Sequence, residues 1–290
     1  MEEEQLLKWN KIIEKTPPLP FVVNTLLNEL DNPDVDIKKI EEIIEKDTLL
    51  VTKVLRMANS AYYGFPRSIA TVKEAIIVLG FNTIRSIVLA ISIKSVMNVD
   101  VSGYWMGSMK GLWEHSLLTA GGARVIAKKL KLQDPERYFV AGLLHDIGKI
   151  ILSSIAKEYK VQFLKNFLFY NKTISQSEEE IIGISHNMVG YLLANYWNLP
   201  QFIAEVILYH DDPSKAPEII RKDITVVSAA NELSYNFIPE NLIEIGVSDK
   251  KNKKAEEYLS YLSILNERDS ILGAMKKFIQ VSVGGYDEQY

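Results

Sequence analysis

In LLHDIGKIIL, Leu143 to Leu152, a histidine and an aspartate stand side by side inside an apolar run. A charge buried there is costly unless something compensates it. The chain has only four histidines, His115, His145, His186 and His210, all in one segment. Each falls on or beside an apolar stripe at helical spacing. His210 continues Ile203, Val206 and Ile207; His186 shares a face with Val189, Gly190 and Leu193; His115 shares one with Leu118, Thr119 and Gly122. The absent side chain at Gly190 is expected to leave room for the imidazole of His186. Neighbours on a helix diverge by roughly 100°, so His145 and Asp146 can flank one ion while imidazoles from other helices close the shell. A divalent metal would compensate the carboxylate. Imidazole nitrogen with carboxylate oxygen suits iron, manganese, zinc or nickel better than magnesium or calcium, as one ion or two. A single inward histidine is more often a hydrogen-bonded core residue than a ligand. Four of them beside an aspartate reverse those odds.

The elements that must position these residues are helices. Apolar residues recur at helical spacing through Ile37, Ile40, Ile44; Val72, Ala75, Ile76, Leu79; Ile84, Ile87, Val88, Ile91; and Leu164, Phe167, Leu168. Alternating strand patterns are nearly missing. ITVVS at Ile224 to Ser228 is ambiguous by length but runs into AANEL, which favours helix. The predicted fold is all-α, a two-lobed helical bundle. TPPLP at Thr16 to Pro20 ends one helix and can open the next. LDNPDVD at Leu30 to Asp36 is a second break, with Asp36 as an N-cap. The stretch Asn98 to Gly111 mixes glycines with short polar residues and divides the lobes. HDDPSKAPE at His210 to Glu218 is a loop, and SDKKNKKAEE at Ser248 to Glu257 a charged turn or helix start. The expected organisation is an N-terminal helical lobe over 1–104, a lobe with the histidine and aspartate cluster over 105–215, and a helical extension over 216–290.

Composition sets the outer limits. With 290 residues and 47% apolar content the chain can fill a real core. It has no cysteine, which rules out disulfides, thiolate metal sites and cysteine nucleophiles and fits a reducing cytoplasm. The N-terminus is acidic where a secretory signal would be basic, and no apolar run approaches the roughly 18 residues of a membrane span. A membrane partner is therefore not expected. A net charge of −4 gives no broad footprint for nucleic acid, so that partner is not expected either.

LLHDIGKI, with WEHSLLTA before it and SHNMVGYLLANYW and VILYH after it, resembles the HD superfamily of metal-dependent phosphohydrolases. PPLPFVVNTLLNEL and the long stretch from IIEKDTLLVTKVLRMANSAYYGFP to GFNTIRSIVL narrow this to the HDOD family, the HD-related output domains of bacterial signalling proteins. The resemblance runs from about Thr16 to about His210. It implies a regulatory domain with the HD fold, often stripped of its metal-binding residues. This chain departs from that tendency by keeping matches for the first histidine (His115), the HD pair (His145, Asp146) and the two later histidines (His186, His210). It also departs from the binuclear enzymes, because AANEL puts Asn231 where they carry a final metal-binding aspartate. A neutral amide oxygen binds a cation more weakly. The GYP tripeptide of enzymes that open cyclic di-GMP is absent.

Two further features carry alternatives. Lys149 reads either as a phosphate contact, helped by close backbone approach at Gly148, or as a solvated lysine near a helix end. NSAYYG at Asn59 to Gly64 reads as a structural turn, with Tyr62, Tyr63 and Phe65 filling core rather than forming an aromatic contact surface. The functional readings are then a bacterial regulatory module that retains a metal site, meets signalling proteins in trans and possesses no turnover, or a phosphohydrolase acting on a nucleotide or other phosphoester. A di-iron oxygen-using enzyme is a weaker third reading.

Overall fold

Helical spacing dictates the architecture. The computed structural model describes residues 3–28, 37–60, 63–94, 96–97, 99–104, 111–170, 172–237 and 247–287. Among these there is no strand, and the chain is all-α. The first six helices are α1 (Glu3–Ile13), α2 (Phe21–Asn28), α3 (Ile37–Glu45), α4 (Thr48–Ala58), α5 (Val72–Leu79) and α6 (Phe81–Ile93). The proline-rich break falls between α1 and α2 as expected. Asp36, expected to cap α3, lies outside the described residues.

NSAYYG is a structural turn in its described part. Asn59 closes α4, its Nδ2 donates to Ile69 O at 2.8 Å, and Ile69 N–H donates to its Oδ1 at 2.7 Å. Gly64 takes φ +66°, a conformation that suits glycine. Tyr63 packs partly buried on the core, whereas Phe65 is exposed and does not fill it. Tyr62 lies outside the described residues.

The site is carried by α7 (Gly111–Lys129), α8 (Pro135–Leu144), α9 (Gly148–Glu158), α10 (Lys160–Tyr170), α11 (Ile174–Ile181), α12 (His186–Tyr196), α13 (Gln201–Tyr209) and α14 (Glu218–Ser234). ITVVS is indeed helical, within α14. SDKKNKKAEE lies within α15 (Val247–Tyr261), and α16 (Arg268–Asp287) follows. α7 is the central strut: it packs along α8, α14 and α16, and fourteen of its residues are buried. One continuous apolar core runs from Ile13 through α4, α5 and α6 to α7, α8, α14 and Phe278 of α16. A second cluster, built on Trp9, Tyr104, Leu152, Phe163 and Val189, lies beneath α9 and α12.

One expectation needs correction. The stretch 135–158 is long and apolar enough, by length and composition, to cross a membrane, although the sequence suggests no such run. It is interrupted by the turn 145–147, and 72% of its most apolar window is buried within the protein, so its apolarity is accounted for by the core. The divider expected over Asn98 to Gly111 is closely packed where it is described. Val101 and Tyr104 are buried, and a Cβ on Gly103 would come within 2.5 Å of the Ala156 and Lys157 backbone. The rest of that segment, 105–110, lies outside the described residues.

Candidate metal centre

His145 and Asp146 do not share a helical turn. α8 ends at Leu144, His145 caps it, and Asp146 sits in the short turn before α9. That turn is packed against α12 through glycine. A Cβ on Gly148 would lie 2.0 Å from His186 O, and one on Gly190 would meet the Ile207 side chain at 2.6 Å and the Gly148 backbone at 3.2 Å. The room at Gly190 therefore serves the approach of two backbones, not the imidazole, and Gly148 faces α12.

All four histidines converge on Asp146. Its Oδ2 lies 3.3 Å from His115 Nε2 and 3.3 Å from His145 Nε2, and its Oδ1 lies 3.3 Å from His186 Nε2 and 3.5 Å from His210 Nε2. Two triads, His115–His145–Asp146 and Asp146–His186–His210, thus present ligand atoms within one cluster each, sharing the carboxylate. Every member is buried.

The other ring nitrogen of each histidine meets an acceptor. His145 Nδ1 lies 2.7 Å from Gly142 O, and His210 Nδ1 2.9 Å from Ile207 O. His186 Nδ1 lies 2.6 Å from Glu178 Oε2. The Ser234 hydroxyl donates to Asn231 O at 2.7 Å, so its oxygen accepts from His115 Nδ1 at 2.9 Å. Acceptors at Nδ1 assign a proton there and point all four Nε2 atoms at one carboxylate. This is the outer arrangement that metal-ligating histidines use. His115 Nε2 and His145 Nε2 stand 3.2 Å apart with no proton between them in these tautomers. Asp146 Oδ1, His186 Nε2 and His210 Nε2 are buried and make no hydrogen bond. Buried acceptors left facing one another are what a cation would satisfy, so the donor set fits a metal.

Electrostatics divides the four rings. Burial pushes His115 down to about 4 and lowers His210 as well. Burial also opposes charge on His186, but the Glu178 carboxylate outweighs it and carries the ring up to about 10, so an ion that binds Nε2 displaces a proton from it. Asp146 would be raised by burial, yet His145, Lys149 and the hydrogen bonds from His115 and His145 hold it well below the usual carboxylate range.

Lys149 is not solvated. It is buried, with Nζ 2.6 Å from Asp146 Oδ2, and burial, which lowers it, is overcome by Asp146 and the other negative groups around it. Asn231 lies on α14 one turn before Ser234; its Oδ1 is buried and without a hydrogen bond.

Several residues that matter here were not singled out by sequence. Glu178 holds both the ring and the backbone N–H of His186, the latter at 2.7 Å, and accepts from Tyr104 Oη at 2.7 Å. Asp211 brings its carboxylate to 3.5 Å from His186 Nε2 and 3.6 Å from His210 Nε2. Only Asp211 had a local signal, its place next to a candidate ligand in YHDD.

The family model for the HDOD domain matches residues 16–213. An uncharacterised protein of Treponema pallidum is 25% identical over 243 residues, covering 80% of this chain and 46% of its own length. The uncharacterised Bacillus subtilis protein YuxH is 29% identical over 126 residues, covering 43% of this chain and 30% of its own. The chain thus spans less than half the length of these curated relatives. Among solved structures, an HDOD domain protein of unknown function from Geobacter sulfurreducens superposes with a TM-score of 0.72 at 25% identity, covering 96% of this chain and 99% of that one. A Shewanella amazonensis protein provisionally named a metal-dependent phosphohydrolase has the same fold, with a TM-score of 0.63 at 18% identity and 98% of both chains covered.

Proposed function

This chain belongs to the HDOD family, and from that premise we propose that it is a bacterial signalling module whose histidine–aspartate centre binds a divalent transition metal without turning over a substrate. The proposed ligands are His115, His145, Asp146, His186, His210 and Asn231. The observation that carries the metal is the convergence of four Nε2 acceptors on one sealed carboxylate. When bound, such an ion can polarise a phosphoryl oxygen or lower the pKa of a coordinated water. What the chain's own residues do is hold the ion: Glu178, Ser234 and the carbonyls of Gly142 and Ile207 fix the rings.

Regulation is favoured over catalysis by enclosure. A catalytic metal keeps an open position for substrate, whereas none of the six proposed ligands is more than 3% exposed. Lys149 spends its ammonium on Asp146 rather than on a phosphate. In this reading the protein is cytoplasmic and its partners are signalling proteins bound in trans. The second reading, a phosphohydrolase for a nucleotide or other phosphoester, is favoured by the complete histidine and HD set, which a purely structural domain has no need of.

The test is metal analysis of protein purified without chelator or affinity-tag nickel, followed by turnover assays over nucleotides and cyclic dinucleotides. Bound metal without turnover is expected. Turnover that depends on the metal would establish the second reading. Absence of metal, with no change of melting temperature on adding manganese, iron, zinc or nickel, would leave a hydrogen-bonded histidine core.

A further inference from the structure

The two oxygens of Asp146 face different surroundings. Oδ2 faces His115 and His145 and accepts from the Lys149 ammonium at 2.6 Å. Oδ1 faces His186 and His210, and these three atoms make no hydrogen bond. One half of the centre is therefore occupied by the Lys149 ammonium, and the other presents nitrogen and oxygen atoms without a hydrogen-bond partner.

Asp211 adds to the same contrast. Its carboxylate oxygens stand 3.5 Å from His186 Nε2 and 3.6 Å from His210 Nε2. Ser175 Oγ contacts Asp211 Oδ2 and helps set its orientation. The other half has the neutral Asn231 as its proposed further oxygen donor.

We propose that the centre is asymmetric: a single divalent ion is held by Asp146 Oδ1, His186 Nε2, His210 Nε2 and the Asp211 carboxylate, while the Lys149 ammonium takes the cation's place beside His115 and His145. The proposal rests on the metal-binding reading above, adds Asp211 as a ligand and takes His115, His145 and Asn231 out of the ion's shell. Metal–ligand bonds of about 2.1 Å in a tetrahedral site place neighbouring donor atoms about 3.4 Å apart. The separations of Asp146 Oδ1 from His186 Nε2 and His210 Nε2, 3.3 and 3.5 Å, match that edge; Asp211 approaches the two rings through different oxygens, at 3.5 and 3.6 Å, and completes the shell by turning one of them inward. Charge points the same way. Two carboxylates and two imidazoles, His186 having given up its Nε2 proton to the ion, offset a divalent charge, whereas an ion on the other side would sit against an ammonium bound to the same Oδ2, a like-charge contact in a poorly screened interior.

The full chain, stripped with chelator and checked for its helical circular dichroism, is titrated with Co²⁺, following the visible bands and the metal retained after desalting. One equivalent is expected to bind tightly. Asp211→Asn should weaken it by at least about 100-fold, beyond the roughly 10–100-fold that loss of an outer partner costs. Asp211 is partly exposed, so this variant is expected to fold. His115→Ala should leave that affinity within about threefold, and Lys149→Met should raise the stoichiometry from one to two. Two equivalents of similar affinity in the unaltered chain, or an Asp211→Asn variant that binds like the parent, would overturn the asymmetric assignment alone. Failure of the unaltered, folded chain to bind Co²⁺ at all would overturn the metal reading beneath it.

Discussion

Glu178 has no counterpart in the sequence argument, yet it touches His186 through ring and backbone alike. Replacing it by glutamine keeps the shape and removes the negative charge, so metal affinity should fall by about 10–100-fold with the helical content unchanged; isothermal titration of the stripped protein measures this. The histidines themselves were legible because an imidazole on an apolar stripe is conspicuous. Their partners were not: Glu178 and Ser234 meet the rings only after α11 and α14 dock, which no local pattern records. Asn231 was read through resemblance; its backbone carbonyl accepts from the Ser234 hydroxyl that also meets His115. If all six proposed ligands share the ion, Asn231→Asp should tighten metal binding, because a charged oxygen is the better donor; in the asymmetric centre it should leave the first equivalent unchanged. If Asn231 does not face the ion, the new carboxylate is a desolvated charge costing a few kcal/mol; unchanged affinity with a lower melting temperature would show that.

The 3.6-residue period exposed nearly every helix, since amphipathic faces must meet a core. It failed at 135–158, where apolar residues surround the helix axis and hide the turn that delivers His145 and Asp146. That turn depends on Gly148. Gly148→Ala would force a methyl into His186 O and separate α9 from α12, so we expect a loss of at least about 1–3 kcal/mol in denaturant unfolding, as for overpacked interiors, with weakened metal binding alongside. The N-terminal helices have their own clamp in Asn59. Asn59→Ala removes two hydrogen bonds to Ile69 and leaves its backbone groups unpaired. The expected cost is about 1–3 kcal/mol with metal affinity unchanged, since the clamp joins only the α4 end to the α5 approach.

At the scale of the molecule, the continuous core from Ile13 to Phe278 argues against independent lobes. α6 packs on α8, and Arg85 on α6 reaches Asp134 at the start of α8 at 3.5 Å. Residues 1–104 expressed alone should expose that apolar face and aggregate; a soluble, monomeric, cooperatively unfolding fragment would refute the proposed two-lobe unit. The six proposed ligands are also scattered along the chain, on α7, the α8–α9 turn, the start of α12, the end of α13 and α14. No short segment can gather them, so the ion has nothing to grip until those helices are docked. Its contribution should then appear in time rather than at the start of folding. Stopped-flow measurements with and without Mn²⁺ should show unfolding slowed by an order of magnitude or more and refolding nearly unaltered, as for contacts formed after the rate-limiting barrier. A bound ion would set how long the native state survives, not how fast it is reached.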